Sequence, residues 1–197
     1  MHKRKMYIEL PYSKRPVRIP VFLEKQEVEL LLNNIKNNYH KIIIAFLYST
    51  GLRVGELVSL KVEDLNLKER YGIVRKGKGN KDRIFIVSER LVSIIAQIIV
   101  NNNLSKKDYL FINNRRTGYS VKSIQKIVKD AQKKAGIKKN VHPHTMRHSF
   151  ATHIIEQGES ISEVQALLGH KSPETTMIYV HTAKGKMVKT KSPYDKY

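Results

Sequence analysis

No cysteine occurs among the 197 residues of the chain. This absence excludes a disulfide framework and any zinc site that depends on cysteine ligands. Long hydrophobic runs are missing too: the apolar stretches from Ile42 to Leu47 and from Leu91 to Val100 are far shorter than the roughly 20 residues of a membrane-spanning helix. The N-terminal segment is basic but has no apolar stretch before a small-residue cleavage site, so it differs from a secretory signal peptide. We therefore expect a cytoplasmic protein.

Acidic side chains are scarce. There are 17 Asp and Glu against 37 Lys and Arg, which gives a formal net charge of +20. Because such an excess destabilises the compact state by self-repulsion, it indicates a polyanionic partner. Nucleic acid ranks first, an anionic membrane surface second, and a basic surface without a specific partner third. The apolar share of 41% is still enough to bury the core of one ordinary domain.

Turn signals and apolar periodicity predict the organisation of the chain. Residues 1–20 form a basic arm or linker, and residues 183–197 form a lysine-rich tail. Two strands, Tyr71 to Arg75 and Arg83 to Val87, flank a hairpin turn. Helices are predicted at Leu23 to Ile35, Tyr39 to Ser49, Glu89 to Val100, Ser120 to Ala135, His144 to Gln157, Ser160 to Gly169, and from Ser172 onward. The predicted fold class is mainly α with a small antiparallel β-sheet (α+β).

Several short motifs supply the residue types that phosphodiester chemistry needs. A metal nuclease holds Mg²⁺ with clustered carboxylates, and the acidic residues here are scattered. The alternative is a cationic site in which guanidinium groups bind the phosphate bidentately. Arg53 follows a glycine turn, and His144 and Arg147 share one helical face. His170 follows a predicted helix end, and Tyr179 stands about two turns into the last predicted helix.

Together with Gly77-Lys78-Gly79-Asn80-Lys81 in the hairpin, these motifs occur in an order and spacing that resembles the tyrosine recombinase (phage integrase) family, and within it the Xer-type recombinases. The resemblance covers about residues 20–182. It implies the catalytic-domain fold of that family and an enzyme that breaks and rejoins DNA through a 3′-phosphotyrosyl intermediate, without a metal or other cofactor. The implied partner is double-stranded DNA. The protein is expected to be a monomer in solution and to assemble into a homotetramer on DNA.

The resemblance assigns charge stabilisation and nucleophilic attack to three of the motif residues. Arg53 and Arg147 match the pair that grips the scissile phosphate and stabilises the pentavalent transition state. Tyr179 matches the nucleophile. A free phenol has a pKa of about 10, so the nucleophile needs cationic neighbours or a base to attack at neutral pH. Glu56, one turn from Arg53, is expected to hold the guanidinium of Arg53.

Proton transfer falls to other motif residues. His144 matches the general base, and Lys78 matches the general acid that protonates the departing 5′ oxygen. The hairpin sequence alone does not separate Lys78 from Lys81, and the motif alignment favours Lys78. His170 matches a second histidine, which hydrogen-bonds the phosphate or positions the tyrosine. His148 is expected to pack or to hydrogen-bond behind the site.

Basic residues around these motifs are expected to contact the DNA backbone. The segment 105–139 holds eleven Lys and Arg against two Asp. A solvated helix face is the usual explanation of such a run, but beside this site a track that positions the duplex is favoured. The individual backbone contacts expected are Lys76, Lys81, Arg83, Arg115 and Arg116.

Simpler explanations exist for single residues. Tyr179 is one of ten tyrosines, and a helical tyrosine is usually a core residue whose hydroxyl is bonded. Its offset from His170 favours the functional interpretation. The spacing of His144 and His148 suggests zinc, but the glutamate of a metalloprotease helix is missing, and no cysteine or nearby carboxylate completes a ligand set. No metal site is therefore expected.

The main functional hypothesis is site-specific recombination, in DNA integration, excision or dimer resolution. The alternatives are a type IB topoisomerase or telomere resolvase, which share cleavage and religation, and a non-catalytic DNA-binding module. The completeness of the motif set favours the recombinase. Family members carry a core-binding domain before the catalytic one, so the chain is expected to be either a fragment or a minimal enzyme. The tail, residues 183–197, is expected to dock on a neighbouring protomer.

Overall fold

The computed structural model of the chain describes residues 20–75, 82–169 and Thr176. Residues 20–75 and 82–169 contain seven α-helices, one short 3-10 helix and one small sheet. The helices are α1 Lys25–Asn33, α2 Asn38–Thr50, α3 Val54–Ser59, α4 Glu89–Asn101, α5 Val121–Lys134, α6 Pro143–Glu156 and α7 Ile161–Leu168, and the strands are β1 Leu65–Asn66, β2 Tyr71–Val74 and β3 Arg83–Ile86. The predicted fold class, mainly α with a small antiparallel sheet, is confirmed.

The predicted helices within the described residues are present, with ends that differ from the prediction by at most two residues. Their starts follow from capping. Ser120 Oγ accepts a hydrogen bond from the backbone N–H of Ser123 at 3.1 Å, and α5 begins one residue later than predicted because Ser120 is its cap. Pro143 takes the first position of α6, where its missing N–H costs nothing. The helix predicted after Ser172 lies outside the described residues except for Thr176, which is helical and buried.

The sheet is antiparallel in the order β1-β2-β3. The two predicted strands pair with Tyr71 opposite Ile86 and Val74 opposite Arg83. β1, which was not predicted, has two residues and is too short for an alternating pattern to reveal it. Since side chains alternate along a strand, Arg83 shares a face with Phe85, and Phe85 is fully buried. The sheet therefore turns Arg83 toward the interior. The predicted hairpin turn, residues 76–81, lies outside the described residues.

Helix α2 forms the centre of the core. Its residues Ile43, Ile44, Phe46 and Leu47 are 0% exposed, and α2 packs against α6. A second group of buried side chains joins α6 to α7 through Phe150 and residues of α7. The C-terminal ends of α2 and α7 therefore meet beside α6, and this meeting point holds the candidate site. Across the described residues, no helix combines the length and apolarity needed to cross a membrane.

Candidate active site

Arg53 lies where α2 gives way to α3. Helix α2 ends at Gly51, whose φ of 61° is in the left-handed region that favours glycine. A Cβ on Gly51 would also lie 2.4 Å from Cδ1 of Phe150, so the packing of α6 requires glycine at this position. Two residues later Arg53 caps α3 with extended backbone. The glycine turn places Arg53 at the junction between α2 and α3.

Glu56 holds Arg53 at two points. One carboxylate oxygen, Oε2, accepts from the backbone N–H of Arg53 at 2.7 Å, and Oε1 accepts from Nη1 of the same residue at 2.8 Å. The first bond belongs to the capping-box pattern at a helix start. The second bond fixes the orientation of the Arg53 guanidinium. The side chain of Arg53 is 26% exposed. This is the contact that the sequence analysis expected between Glu56 and Arg53.

Arg83 also donates a hydrogen bond to the carboxylate of Glu56. Its Nη2 donates to Oε2 of Glu56 at 2.6 Å, its Nη1 donates to the carbonyl of Leu167, and only 9% of its side chain is exposed. The sequence predicted a contact between Arg83 and the DNA backbone, but in the structure both terminal nitrogens of Arg83 bond groups of the protein, the carboxylate of Glu56 and the carbonyl of Leu167. The alternation along β3 explains the difference, since it turns this side chain inward.

Electrostatics keep Glu56 ionised between the two arginines. Burial alone raises the pKa of Glu56, but the charge of Arg83 and the hydrogen bonds and charge of Arg53 outweigh it, so the pKa lies below its usual value. Burial lowers the pKa of Arg83, the charge and hydrogen bond of Glu56 oppose that effect, and Arg53 adds to it. An arginine remains protonated at neutral pH under such conditions. One carboxylate therefore serves two guanidinium groups.

Arg147 is the most buried of the candidate catalytic residues, with 3% exposure. Its Nη1 donates to the carbonyl of Gly51 at 2.6 Å and its Nη2 to the carbonyl of Leu168 at 2.5 Å. These two bonds tie α6 to the ends of α2 and α7. Arg53 contributes a longer third contact, from Nη2 to the carbonyl of Gly169 at 3.4 Å. The structure thus brings Arg53, Glu56 and Arg147 together.

His144 lies one turn before Arg147 on α6, but its side chain is exposed. Its ring centroid is 6.2 Å from that of His142 and 6.4 Å from that of His148. Partial burial and the positive charges of His142, Arg147 and Arg53 lower the pKa of His144. The imidazole is therefore neutral at neutral pH, and a neutral imidazole can accept a proton.

His148 lies one turn after His144 on α6, and its pKa is lowered more strongly. Burial, followed by the charges of His144, His142 and Arg147, lowers the pKa of His148 to about 4. A side chain that resists protonation in the folded state makes stability depend on pH. The stability that neutral His148 contributes is fully present above the pKa of the unfolded state, 6.5. It is lost as pH falls toward the lower pKa of the folded state.

We expect the His148→Asn variant to lose this pH dependence. Between pH 7 and pH 4 the free energy of unfolding of the unsubstituted protein should fall by up to about 3 kcal/mol more than that of the variant. Urea unfolding at a series of pH values measures the difference. Equal pH dependence in both proteins would show that His148 is protonated as easily in the folded state as in the unfolded state.

Arg115 and Arg116 lie in a turn between α4 and α5, and both are exposed. Asn113 Oδ1 accepts from the backbone N–H of Arg115 at 2.8 Å, and Arg116 has a φ of 58°. Arg116 Nη2 donates to the carbonyl of Asn102 at 2.9 Å. Both arginines line a polar cleft of about 740 Å³ beside Tyr39. Their exposure is consistent with the DNA-backbone contacts expected from the sequence.

The other predicted site residues are Lys76, Lys78, Lys81, His170 and Tyr179, and all five lie outside the described residues. The chain around them is partly described. Arg75 and Asp82 flank residues 76–81, and Gly169 directly precedes His170. In the described part of the chain, no group of three or more His, Cys, Asp or Glu residues comes together in a way that could hold a metal ion.

The carbonyl acceptors at the end of α7 could not be predicted from the sequence. Leu167, Leu168 and Gly169 offer consecutive carbonyls to Arg83, Arg147 and Arg53 respectively. The C-terminus of a helix carries partial negative charge on such unpaired carbonyls and attracts cations. Gly169, with a φ of 62°, marked the helix end in the sequence. Nothing in the sequence indicated which arginines would meet there.

The family model described as "Phage integrase family" matches residues 21–186 of the chain. The chain belongs to the phage integrase family. A tyrosine recombinase of Pseudothermotoga lettingae is 40% identical to this family member over 165 residues, which cover 83% of the chain and 57% of the relative. The tyrosine recombinase XerA of Pyrococcus horikoshii is also 40% identical, over 87% of the chain and 60% of the relative. The chain thus spans little more than half the length of these relatives.

Solved structures of the phage integrase family share the fold. A XerA recombinase crystal structure superposes with a TM-score of 0.76 at 38% identity, over 87% of the chain and 65% of that structure. The XerH site-specific recombinase, in a post-cleavage complex with a palindromic difH substrate, gives a TM-score of 0.74 at 26% identity. That match covers 90% of the chain and 54% of the XerH structure.

Proposed function

We propose that this chain carries, in residues 21–182, the catalytic domain of a site-specific tyrosine recombinase that cleaves and rejoins double-stranded DNA. The observation that supports the proposal most strongly is the convergence of Arg53 and Arg147 on the end of α7. His170 follows Gly169, the residue that caps the end of α7. Membership of the phage integrase family and the complex of XerH with its substrate add independent support.

In the proposed reaction the phenol oxygen of Tyr179 attacks the phosphorus of the scissile phosphodiester. The phenol proton passes to His144, whose lowered pKa keeps the imidazole neutral and therefore able to accept a proton at neutral pH. The bond from phosphorus to the 5′ oxygen breaks, and that oxygen takes a proton from Lys78. The product is a 3′-phosphotyrosyl link and a free 5′ hydroxyl. Attack by a 5′ hydroxyl of another strand reverses these steps and joins the strands.

Stabilisation of the transition state falls to Arg53 and Arg147, with His170 as a further phosphate contact. Guanidinium groups that are fixed before the reaction stabilise the extra charge on the non-bridging oxygens without reorganising. Glu56 orients one of them, and the carbonyls of Gly51 and Leu168 orient the other. Because the phosphotyrosyl link conserves the bond energy, neither a nucleotide nor a metal ion is required.

Strand exchange in EDTA and without ATP tests the proposal. Two short duplexes that carry the same candidate site, taken from DNA that flanks the gene, are incubated with the protein, and recombinant strands are resolved on a denaturing gel. We expect recombinant strands with the unsubstituted chain and none with Tyr179→Phe. Relaxation of supercoiled DNA without strand exchange would indicate a topoisomerase-like enzyme instead. Tight binding without either reaction would indicate a DNA-binding module.

The proposed assembly is a homotetramer on DNA in which residues 183–197 dock on a neighbouring protomer. A tail that couples protomers affects synapsis and leaves cleavage by a single protomer intact. Truncation after Thr182 should therefore abolish the four-protomer complex on native gels while the covalent adduct on one site persists. A truncated chain that still forms the complex contradicts docking in trans.

Arg115 provides a test of the proposed DNA-backbone contacts. The Arg115→Ala variant should weaken binding about equally for specific and random duplexes, because a phosphate contact carries no sequence information. The slope of log binding constant against log salt concentration should become shallower by about 0.9 per lost phosphate contact. Fluorescence anisotropy at several salt concentrations measures both quantities. An unchanged slope would place Arg115 away from the duplex.

A further inference from the structure

Three arginines from distant parts of the chain meet at the end of α7. Arg83 donates to the carbonyl of Leu167, Arg147 to that of Leu168, and Arg53 to that of Gly169. The proposed mechanism uses Arg53 and Arg147 as phosphate ligands. Arg83, which the sequence analysis assigned to the DNA backbone, has no part in that mechanism, yet it contacts the same helix end and the same carboxylate as Arg53.

The site is shaped around the side chain of Arg83. Gly169 approaches it so closely that a Cβ on this glycine would lie 2.5 Å from Cδ of Arg83. The guanidinium is fixed by Glu56 at 2.6 Å and by the carbonyl of Leu167. Its Nε is buried and has no hydrogen-bond partner among the described residues. Burying an arginine with one unsatisfied donor is costly, and an apolar side chain would avoid this cost.

The charge count at Glu56 shows what Arg83 supplies. Arg53 and Glu56 alone form a neutral pair, in which the carboxylate offsets much of the attraction between Arg53 and a phosphate. With Arg83 the three groups carry a net charge of +1, because one carboxylate is shared by two guanidinium groups. Charges interact strongly in a poorly solvated site, so this difference acts directly on a bound phosphate.

We propose that Arg83 is a positioning residue for strand cleavage: by sharing Glu56 with Arg53, it leaves Arg53 both oriented and positively charged toward the scissile phosphate. This inference rests on the proposed function. Arg83 does not touch DNA and acts through Glu56. It also ties β3, which follows Lys78 in the sequence, to the helix end that precedes His170. One buried side chain therefore connects the strand that follows Lys78 in the sequence with the helix that precedes His170.

The competing explanation is that Arg83 only stabilises the packing of β3 against α7. A purely structural residue affects the folded fraction and the cleavage of every substrate alike. A residue that acts through the charge of Arg53 affects a negatively charged phosphate more than a neutral one. A scissile methylphosphonate, which lacks one charged non-bridging oxygen, separates the two explanations.

The experiment measures single-turnover rates of covalent adduct formation on two nicked duplexes, one with a normal scissile phosphate and one with a methylphosphonate. The variants are Arg83→Met and Arg83→Lys, and the control is Arg90→Met on the exposed face of α4. Circular dichroism and urea unfolding establish the folded fraction of each protein. DNA affinity is measured separately, so that a rate change is not confused with a binding change.

On the normal phosphate we expect Arg83→Met to be about 10- to 100-fold slower than the unsubstituted chain, a loss of the size that follows in metal sites when the hydrogen-bond partner that orients a ligating side chain is removed. On the methylphosphonate, the ratio of the unsubstituted rate to the Arg83→Met rate should be several-fold smaller. Arg83→Lys should recover part of the rate because it keeps the charge, and Arg90→Met should match the unsubstituted chain. DNA affinity should be unchanged in all of them.

Two outcomes overturn the inference. Equal slowing on both substrates, or no slowing when the variants are corrected for folded fraction, makes Arg83 a structural residue and leaves the proposed function standing. The absence of an adduct with the unsubstituted chain overturns the proposed function and this inference with it. If Arg83→Met does not fold, Arg83→Lys still decides the question through the ratio of its rates on the two substrates.

Discussion

Replacing Arg147 with lysine should lower the rate of strand cleavage by about 100- to 1,000-fold, the loss seen when one preorganised transition-state donor is removed. The guanidinium of Arg147 bonds two carbonyls at once, that of Gly51 at 2.6 Å and that of Leu168 at 2.5 Å. An ammonium group keeps the charge but cannot present a planar fork to two helix ends and a phosphate together. Single-turnover adduct formation on a nicked duplex measures the rate.

The control for this prediction is Arg90→Lys, which makes the same change on the exposed face of α4 and should leave the rate unchanged. DNA affinity should fall far less than the rate, because the proposed role of Arg147 is exerted mainly in the transition state. A rate for Arg147→Lys within a few-fold of the unsubstituted chain would show that the buried fork is not needed for cleavage.

Glu56→Gln should lower the free energy of unfolding by about 3–5 kcal/mol, as expected when one partner of a buried charge cluster is removed. The carboxylate is 11% exposed and accepts from Arg53 and from Arg83. Without its charge, two guanidinium groups face each other uncompensated. Because the pKa of Glu56 is lowered in the folded state, its contribution is present above the unfolded value of 4.5 and is lost as pH falls further.

A matched control exists at Glu89, which pairs with Arg70 at 3.0 Å but is 83% exposed. Exposed pairs of this kind contribute little, so Glu89→Gln should leave the unfolding curve almost unchanged. Urea unfolding at pH 7 compares the two variants. Equal losses from Glu56→Gln and Glu89→Gln would contradict the buried arrangement of Arg53, Glu56 and Arg83.

Local patterns made six of the seven helices in residues 20–75 and 82–169 predictable, and also the contact between Arg53 and Glu56. Ser120 and Ser160 are N-caps at helix starts, and Gly51 and Gly169 are C-caps at helix ends. Each of these residues determines a helix boundary through contacts within a few residues of it in the sequence. The contact of Arg53 with Glu56 spans three residues within one helix start, so sequence spacing alone suggested it. Family resemblance, rather than periodicity, supplied the candidate roles of Lys78, His170 and Tyr179.

Long-range contacts set the limit of prediction. Arg83 meets Glu56 across 27 residues and Leu167 across 84, and its direction depends on which face of the sheet packs inward. The two-residue strand β1 offered no alternation to detect. His144 and Arg147 share a helical face by spacing, yet one is exposed and the other is 3% exposed. Burial of that kind is decided by where α2 and α7 end, which local sequence does not specify.

The most direct test of the central claim is covalent trapping. The protein is incubated in EDTA with nicked duplexes whose cleaved end diffuses away, and the products are resolved under denaturing conditions and mapped by mass spectrometry. The account predicts an adduct with the 3′ phosphate on Tyr179 that is absent from Tyr179→Phe. An adduct on a different residue, an absolute requirement for metal, or tight binding without any adduct would contradict it.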